Sequence, residues 1–531
     1  MATPYRAIVL HHPYFAKMLS TAIDLEFCLC ICDFNSFKYH GQTKDFSNVN
    51  FTIEIMDHYD LEQCIYDQEL LASIPPVDRY ILNSMEMYKS EIVSIIYRVT
   101  QLSYTQARDQ YYQHLKFWLW YLRDRKINLF FGFVPHDSYY SVIYYLCKLI
   151  SIKTILVHPL GISKSYTLMS DWRIPDPRVD TLCQKYINDP DSVDISHWSP
   201  QFAEFISNQK LQMHPPYMKQ TFDQLGKNKI LAYLMAINTK SINPNSIRNK
   251  ILKYLMTISI KFSFSYTNKL KLIRILKRIA RIIKTTRVAK PVERTFKLVN
   301  RHRPRFGNLC FDTYYEGLCT ITDSSCLDNE SYIYVPLHYQ PECSTLPMGE
   351  FFENQKIMIE WLSHSRPEDV WLYVREHPAQ TYDLNTSRYR EPSFYSDILR
   401  IPRVRLVSRR CSSFDLIRNS LCVATITGTV TLESLYQEKP VLFFGYHVYQ
   451  YALGVFPIRD LSDCSNALKK ICNQEFDLTR EKFLLYLKAL EKNCIMNISE
   501  NDWHELGRAN DETEKKFLDS FLEFLNFLDC S

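Results

Sequence analysis

Four short stretches of the sequence bring together residue types suited to phosphate binding, acid–base work or hydroxyl recognition. In TITGTVTLESLYQEKPVLFFG an apolar strand runs into Thr427-Gly428-Thr429, and a helix pattern begins at once. A helix start leaves backbone N–H groups unpaired and carries partial positive charge, so phosphate binds there readily. Gly428 permits close backbone approach, Thr427 and Thr429 offer hydroxyls, and Glu433, one turn on, can accept from a ribose. The plainer alternative is capping by Thr429 with Glu433 at the surface.

The second stretch, DVWLYVREHPAQ, reads as a strand ending in Arg375, Glu376, His377 and Pro378. Pro378 biases His377 away from helix, which fixes an extended turn at the strand end. His377 can then donate to a phosphate and Arg375 can add charge, though a single His in such a turn also has structural uses. In the third, LHYQPECSTLPMGEFFENQ, a loop after a strand holds His338, Gln340 and Glu342 and is stiffened by Pro336, Pro341 and Pro347. A His and a carboxylate in one rigid loop suit acid–base chemistry or sugar hydroxyls, or simply a polar turn. The fourth is His136-Asp137, after the strand NLFFGFVP. It can orient an acceptor hydroxyl or act as a base, or Asp137 can cap the helix that follows.

The elements that carry these residues follow from periodicity. Residues 1–215 read as an α/β domain, with strands in AIVLHHPYF, FCLCICDF, NLFFGFVP and KTILVHPLG, a helical stretch over 87–125 and a helix in YYSVIYYLCKLISI. Residues 306–465 repeat the strand–helix alternation, and 466–531 read as C-terminal helices. Such sheets bind ligands beyond the carboxyl ends of their strands, where all four stretches fall. A chain of 531 residues needs more than one core. Sixteen cysteines are scattered without zinc spacing, and Cys28, Cys30 and Cys32 alternate along one strand, so free buried thiols are expected. No apolar run reaches the roughly 20 residues needed to span a bilayer, and no secretory leader is expected.

The charge is uneven. Between Lys227 and Arg305 there are 21 Lys and Arg against a single acid, Glu293, which leaves the remainder of the chain acidic. Within residues 216–305, the stretch TNKLKLIRILKRIARIIK has helical periodicity, with Lys271, Arg274, Lys277, Arg278 and Arg281 off its apolar stripe. That is the pattern of a helix lying on an anionic membrane surface, and equally of a solvated helix between domains. Nucleic acid is not expected as a partner, since no nucleic-acid-binding motif accompanies the charge.

Taken in order, the strings VPHDSYYSVIYYL, YVPLHYQPECSTLPMG, YVREHP and TGTVTLESLYQEKPVLFFG resemble the bacterial capsule polysaccharide synthesis family, whose relatives include β-Kdo transferases. The similarity is densest from Tyr332 to Gly445. It implies a GT-B-like α/β fold, two Rossmann-like parallel-sheet domains facing a cleft, with the basic helical segment between them. It also implies a glycosyltransferase that moves a sugar from a nucleotide-activated, CMP-linked donor to a glycan or lipid-linked acceptor. His377-Pro378 and Thr427 to Thr429 would hold the donor phosphate, with His338, Gln340, Arg375 and Glu433 on the donor side. His136, Asp137 and Glu342 are the candidate catalytic groups. Arg375 stands where relatives often have Lys, and no residue matches the carboxylate nucleophile or base of the Kdo enzymes. A related likeness is to CDP-polyol phosphotransferases, and a scaffold for polysaccharide assembly that lacks catalysis is the reading from another class. No cofactor and no metal are expected, since no DxD-type triplet falls in a convincing loop. The expected location is cytoplasmic, peripheral on the inner face of the cell membrane.

Overall fold

The computed structural model describes residues 3–11, 13–33, 49–100, 102–162, 165–207, 314–323, 327, 330–381, 389–496 and 511–530. The basic stretch with Lys271, Arg274, Lys277, Arg278 and Arg281 lies outside the described residues. The strands in chain order are β1 (Tyr5–His11), β2 (Leu25–Cys32), β3 (Thr52–Asp57), β4 (Leu129–Phe133), β5 (Lys153–Pro159), β6 (Ser165–Met169), β7 (Tyr332–Pro336), β8 (Trp371–Arg375), β9 (Val404–Val407), β10 (Cys422–Thr425), β11 (Val441–Phe443), β12 (Val455–Pro457) and β13 (Ile495–Met496). The chain divides into two compact units: unit 1 is Met1–Leu211, Pro341–Asn354 and Thr425–Ser531, and unit 2 is Gln212–Gln340 and Gln355–Ala424.

Unit 1 is built on a seven-stranded sheet in the order β13-β6-β5-β4-β1-β2-β3. Strand β1 pairs in parallel with both β2 and β4, and the parallel ladder continues to β3 on one side and β5 on the other. β6 runs antiparallel to β5 and to β13. Apolar runs rather than alternation mark these strands because both faces are covered. On one face Phe27, Leu29, Ile31 and Phe130 pack under the helices Arg79–Thr100, Tyr104–Asp124 and Ser138–Leu149. On the other, Cys28, Cys30, Phe131 and Val157 pack with Phe15 and with Phe517, Phe521 and Phe524 of the helix Asp511–Cys530. The cysteines of β2 are free thiols, with Cys28 and Cys30 sulfurs 3.7 Å apart on the same face.

The helical stretch expected over 87–125 is two helices. Ser103 opens the second, its hydroxyl accepting from the Gln106 N–H while the Gln106 side chain accepts from the Ser103 N–H. That capping box ends one helix and starts another, a signal that periodicity averaged over the whole stretch conceals. The chain order turns back between β1 and β4, so the carboxyl ends of these two strands border the crevice in which parallel sheets hold ligands.

In unit 2, β7 pairs in parallel with β8 and β10, and β8 with β9. Buried Ile333, Val335, Leu372, Val374 and Leu406 form its apolar centre, with Met358, Ile359 and Leu362 of the helix Gln355–Ser365 also buried. Here the order turns back between β7 and β10. In unit 1, β11 and β12 add a further parallel pair. The fold is therefore α/β with two parallel-sheet, Rossmann-like units, the GT-B-like class that the sequence implies.

Candidate functional site

The predicted residues fall into two groups, one in each unit. In unit 1, His136 and Asp137 follow β4. The His136 ring is fixed through Nδ1, which lies 2.6 Å from the Tyr140 hydroxyl and 2.9 Å from the Val134 carbonyl. Asp137 occupies the N-cap position of the helix Ser138–Leu149 in extended conformation, but its side chain makes no capping hydrogen bond. Glu62 takes that part instead, accepting the Ser138 N–H at 3.0 Å and the Ser138 hydroxyl at 3.1 Å. The alternative of a simple Asp137 cap is therefore not met: Glu62, from the helix His58–Glu62, accepts the N–H of the first helical residue, with Asp137 beside it. Burial first, and then the nearby Asp137 charge, pushes the Glu62 carboxyl up to about 8.

Glu342 lies in the same unit. The turn it starts is tightly wound, with the Thr345 and Leu346 N–H groups both donating to the Glu342 carbonyl at 3.1 Å. Its carboxylate accepts the Ser344 hydroxyl at 2.8 Å. Arg98, buried at the end of the helix Arg79–Thr100, joins this turn to the loop after β4. Its guanidinium donates to the Leu346 carbonyl at 3.1 Å and to the His136 carbonyl at 2.7 Å. The Thr427 hydroxyl donates to the Ser344 carbonyl at 2.8 Å, so the Thr427-Gly428-Thr429 loop is tied to the same turn. Thr429 sits at the N-cap position of the seven-residue helix Val430–Tyr436 without a side-chain cap bond. Its methyl group lies where a Cβ on Gly161 would stand, and Gly161 itself has φ of +68°. Only glycine meets both conditions there. Glu433 is half-buried in the first turn of that helix.

Three histidines collect near this edge of unit 1. His158 and His447 have ring centroids 5.0 Å apart, and both are buried. Burial pushes His447 down to about 3, and burial, with His447 and His136 nearby, holds His158 well below its ordinary value. These two buried imidazoles are neutral at neutral pH.

In unit 2 the backbone of the loop after β7 is held by two side-chain amides. Gln355 accepts the His338 N–H at 2.8 Å and donates to the His338 carbonyl at 3.1 Å. Gln380 repeats the pattern on Gln340, at 2.7 and 3.2 Å. Each amide imitates one residue of a neighbouring strand, which satisfies buried backbone groups that no ladder reaches. His338 and Gln340 are themselves buried, and burial together with the Arg390 charge pushes the His338 imidazole down to about 3.

His377 is positioned by its neighbour. Glu376, fully buried, accepts the His377 N–H at 2.7 Å on one oxygen, and Arg390 Nε at 2.8 Å and the Tyr395 hydroxyl on the other. Arg390 also donates to the His338 carbonyl at 3.1 Å, so it links the two predicted loops of this unit. Arg375 is buried, donating to the Arg409 carbonyl at 2.8 Å, and its Nε has no hydrogen-bond partner among the described residues. Arg409 lies alongside, paired with Glu316 at 3.2 Å, and burial and the charge of Arg410 push its guanidinium down to about 9. Two of these buried cations have carboxylate counterions, Arg390 with Glu376 and Arg409 with Glu316.

Glu62, Arg98 and Arg390 are organising residues outside the quoted motifs, while Gln355 and Gln380 lie inside them without a role having been assigned. Each acts across a long stretch of sequence, and none has a local spacing signature.

Comparison with known proteins adds the following. The family model for capsule polysaccharide biosynthesis proteins matches residues 345–469. No curated protein matches the chain. Solved structures that it resembles include a KpsC β-Kdo 2,4 transferase from Thermosulfurimonas dismutans, at 9% identity over 68% of this chain and 79% of that one, with a TM-score of 0.27. A UDP-GlcNAc 2-epimerase from Methanocaldococcus jannaschii is 8% identical over 92% and 99%, with a TM-score of 0.24. A variant of the wall teichoic acid polymerase TagF is 10% identical over 98% and 91%, with a TM-score of 0.20. At these TM-scores the likenesses carry no argument of their own. The family match is local: residues 345–469, which hold Arg375, His377 and Thr427-Gly428-Thr429, are similar to the capsule polysaccharide biosynthesis family.

Proposed function

We propose that this protein is a glycosyltransferase of capsular polysaccharide synthesis, moving a sugar from a nucleotide-activated donor to a glycan or glycolipid acceptor. The observation that carries the reading is the family match over 345–469, because that segment contains the two loops suited to a departing phosphate. In glycosyl transfer from a nucleotide sugar, negative charge grows on the leaving phosphate. Preorganised donors and cations aimed at that charge supply the stabilisation. His377, whose backbone N–H is held by the buried Glu376 carboxylate, is one such group. The Thr427-Gly428-Thr429 loop of unit 1 is a separate candidate for that role, and a CMP-linked sugar is the donor we favour. On the acceptor side, His136, Asp137 and Glu342, tied together through Arg98, are the groups in reach of a hydroxyl proton. The basic 216–305 segment would hold the enzyme on the anionic inner face of the cell membrane, where a lipid-linked acceptor is found.

The test is a panel of CMP, CDP, UDP and GDP followed by thermal unfolding, and then product analysis with the sugar form of the stabilising nucleotide. A ligand at a hundredfold excess over its Kd adds about 2.7 kcal/mol. One nucleotide should stand out, the product should contain a glycosidic bond, and His377→Ala should abolish turnover. Stabilisation by none of the four, or a phosphodiester product, refutes the assignment.

A further inference from the structure

We propose that His58, Glu62 and Asp137 form a binding site in unit 1 for a first-row divalent cation of the Mn2+ or Zn2+ class. The helix His58–Glu62 follows β3, and the i, i+4 spacing sets its first and last residues one turn apart on the same side. Asp137 follows β4. One ligating atom from each of the three side chains lies within 4.8 Å of the other two.

Three further features point to a cation rather than to a chance gathering of polar groups. Glu62 is only 4% exposed, and its Oε2 has no hydrogen-bond partner among the described residues, while Oε1 is fully engaged by Ser138. A buried carboxylate oxygen left in this state is costly, and a bound cation removes the cost. Asp137 stands at the N-cap position of the next helix yet makes no capping bond, while Glu62 accepts the N–H of the first helical residue, Ser138. Two carboxylates are thereby brought to one helix start. Finally, the His58 ring is oriented by a 2.8 Å hydrogen bond between its Nδ1 and the hydroxyl of Tyr139. An outer partner on one ring nitrogen is what fixes the orientation of a metal-binding imidazole.

The donor set selects the ion. Two carboxylates and one imidazole suit a borderline first-row cation, whereas Ca2+ takes six to eight oxygens and soft ions take sulfur. Metal–ligand bonds of about 2.1 Å place ligand atoms at most ~4.2 Å apart, a spacing that atoms within 4.8 Å of one another reach by a small side-chain shift. Three protein ligands leave open positions, to which water or a substrate oxygen can bind. No sequence motif announces this set, because its third member is 75 residues from its second. It also departs from the sequence-based expectation of an enzyme without metal.

The full chain, stripped with chelator and desalted, is titrated with Mn2+ while free Mn2+ is read by electron paramagnetic resonance, and separately with Zn2+ against a chromophoric chelator. We expect saturable binding of one equivalent of at least one of the two ions, weakened at least tenfold by Asp137→Asn. That variant keeps its shape and loses no capping bond, so the fold stays intact. The exposed pair Asp194 and His197, 2.6 Å apart, is the built-in control for surface binding, and His197→Ala should bind as the unmodified chain does. No saturable binding of either ion, equal affinity in Asp137→Asn, or loss of the site in His197→Ala would each overturn the proposal.

Discussion

Arg390 Nε meets Glu376 Oε2 at 2.8 Å, and the two side chains are 3% and 0% exposed. The same carboxylate receives the N–H of His377 and the hydroxyl of Tyr395, so one buried anion sets the turn that carries His377. Glu376→Gln keeps the shape of the group but leaves the Arg390 charge without its counterion. Removing one partner of such a pair costs about 3–5 kcal/mol. Urea unfolding should show a loss of that size, and a second change, Arg390→Met, should restore part of it. A loss below about 1 kcal/mol would mean that the pair does not hold the turn.

Arg98 joins the loop after β4 to the turn that begins at Glu342. Its two shorter bonds, to the His136 and Leu346 carbonyls, are charge-assisted, each worth roughly 1.5–3 kcal/mol. Arg98→Ala should therefore lower stability by several kcal/mol and open the segment 342–349 to protease. Arg98→Lys should fall between the two, because an ammonium cannot span both carbonyls as a planar fork does. Wild-type protease resistance in Arg98→Ala would remove the bracing role.

His447 makes a prediction about acid. Its imidazole titrates near 6.5 in an unfolded chain and is pushed down to about 3 by burial when folded. The unfolded state therefore takes up the proton first. The stability that neutral His447 confers is complete above about pH 6.5 and is lost as pH falls toward 3, at up to about 1.4 kcal/mol per pH unit. His447→Gln should shed less stability than the unmodified chain between about pH 7 and pH 5, as followed by thermal melting. His114 and His338, also pushed down to about 3, account for acid sensitivity that persists. Parallel melting curves for the two proteins would show that His447 does not titrate in this way.

The basic segment makes a prediction from charge alone. Replacing Lys271, Arg274, Lys277, Arg278 and Arg281 by Gln should weaken binding to vesicles containing anionic lipid, and the difference should shrink as salt rises. Co-sedimentation at two ionic strengths measures it. Unchanged affinity at low salt would assign the charge to something other than lipid.

The parts of this fold that were legible in the sequence are those in which local pattern and final position agree. Apolar runs at β1, β4, β5, β7, β8 and β10 each end in polar residues, so the carboxyl edges of the sheets, with His136, His377 and Thr427, could be marked in advance. Tertiary connections were not legible. Nothing around Glu62 says that it will cap a helix beginning at Ser138, and nothing around Gln355 or Gln380 says that a side-chain amide will stand in for a strand. These bonds depend on how elements cross, which periodicity along the chain does not encode. The capping alternative for Asp137 is not met for the same reason: its local signal was sound, but the carboxylate that reaches the helix start, Glu62, comes from elsewhere in the chain.

The way unit 1 is assembled bears on how the protein is made. One face of its sheet is closed by Phe517, Phe521 and Phe524, and its edge strand β6 is closed by β13, all from the last segments of the chain. During translation the early strands must wait, with Phe131 and Val157 uncovered, until more than 350 further residues have left the ribosome. A nascent chain in that condition is a natural client for chaperones, and a premature stop before Asp511 would leave the sheet permanently half-dressed and prone to aggregate.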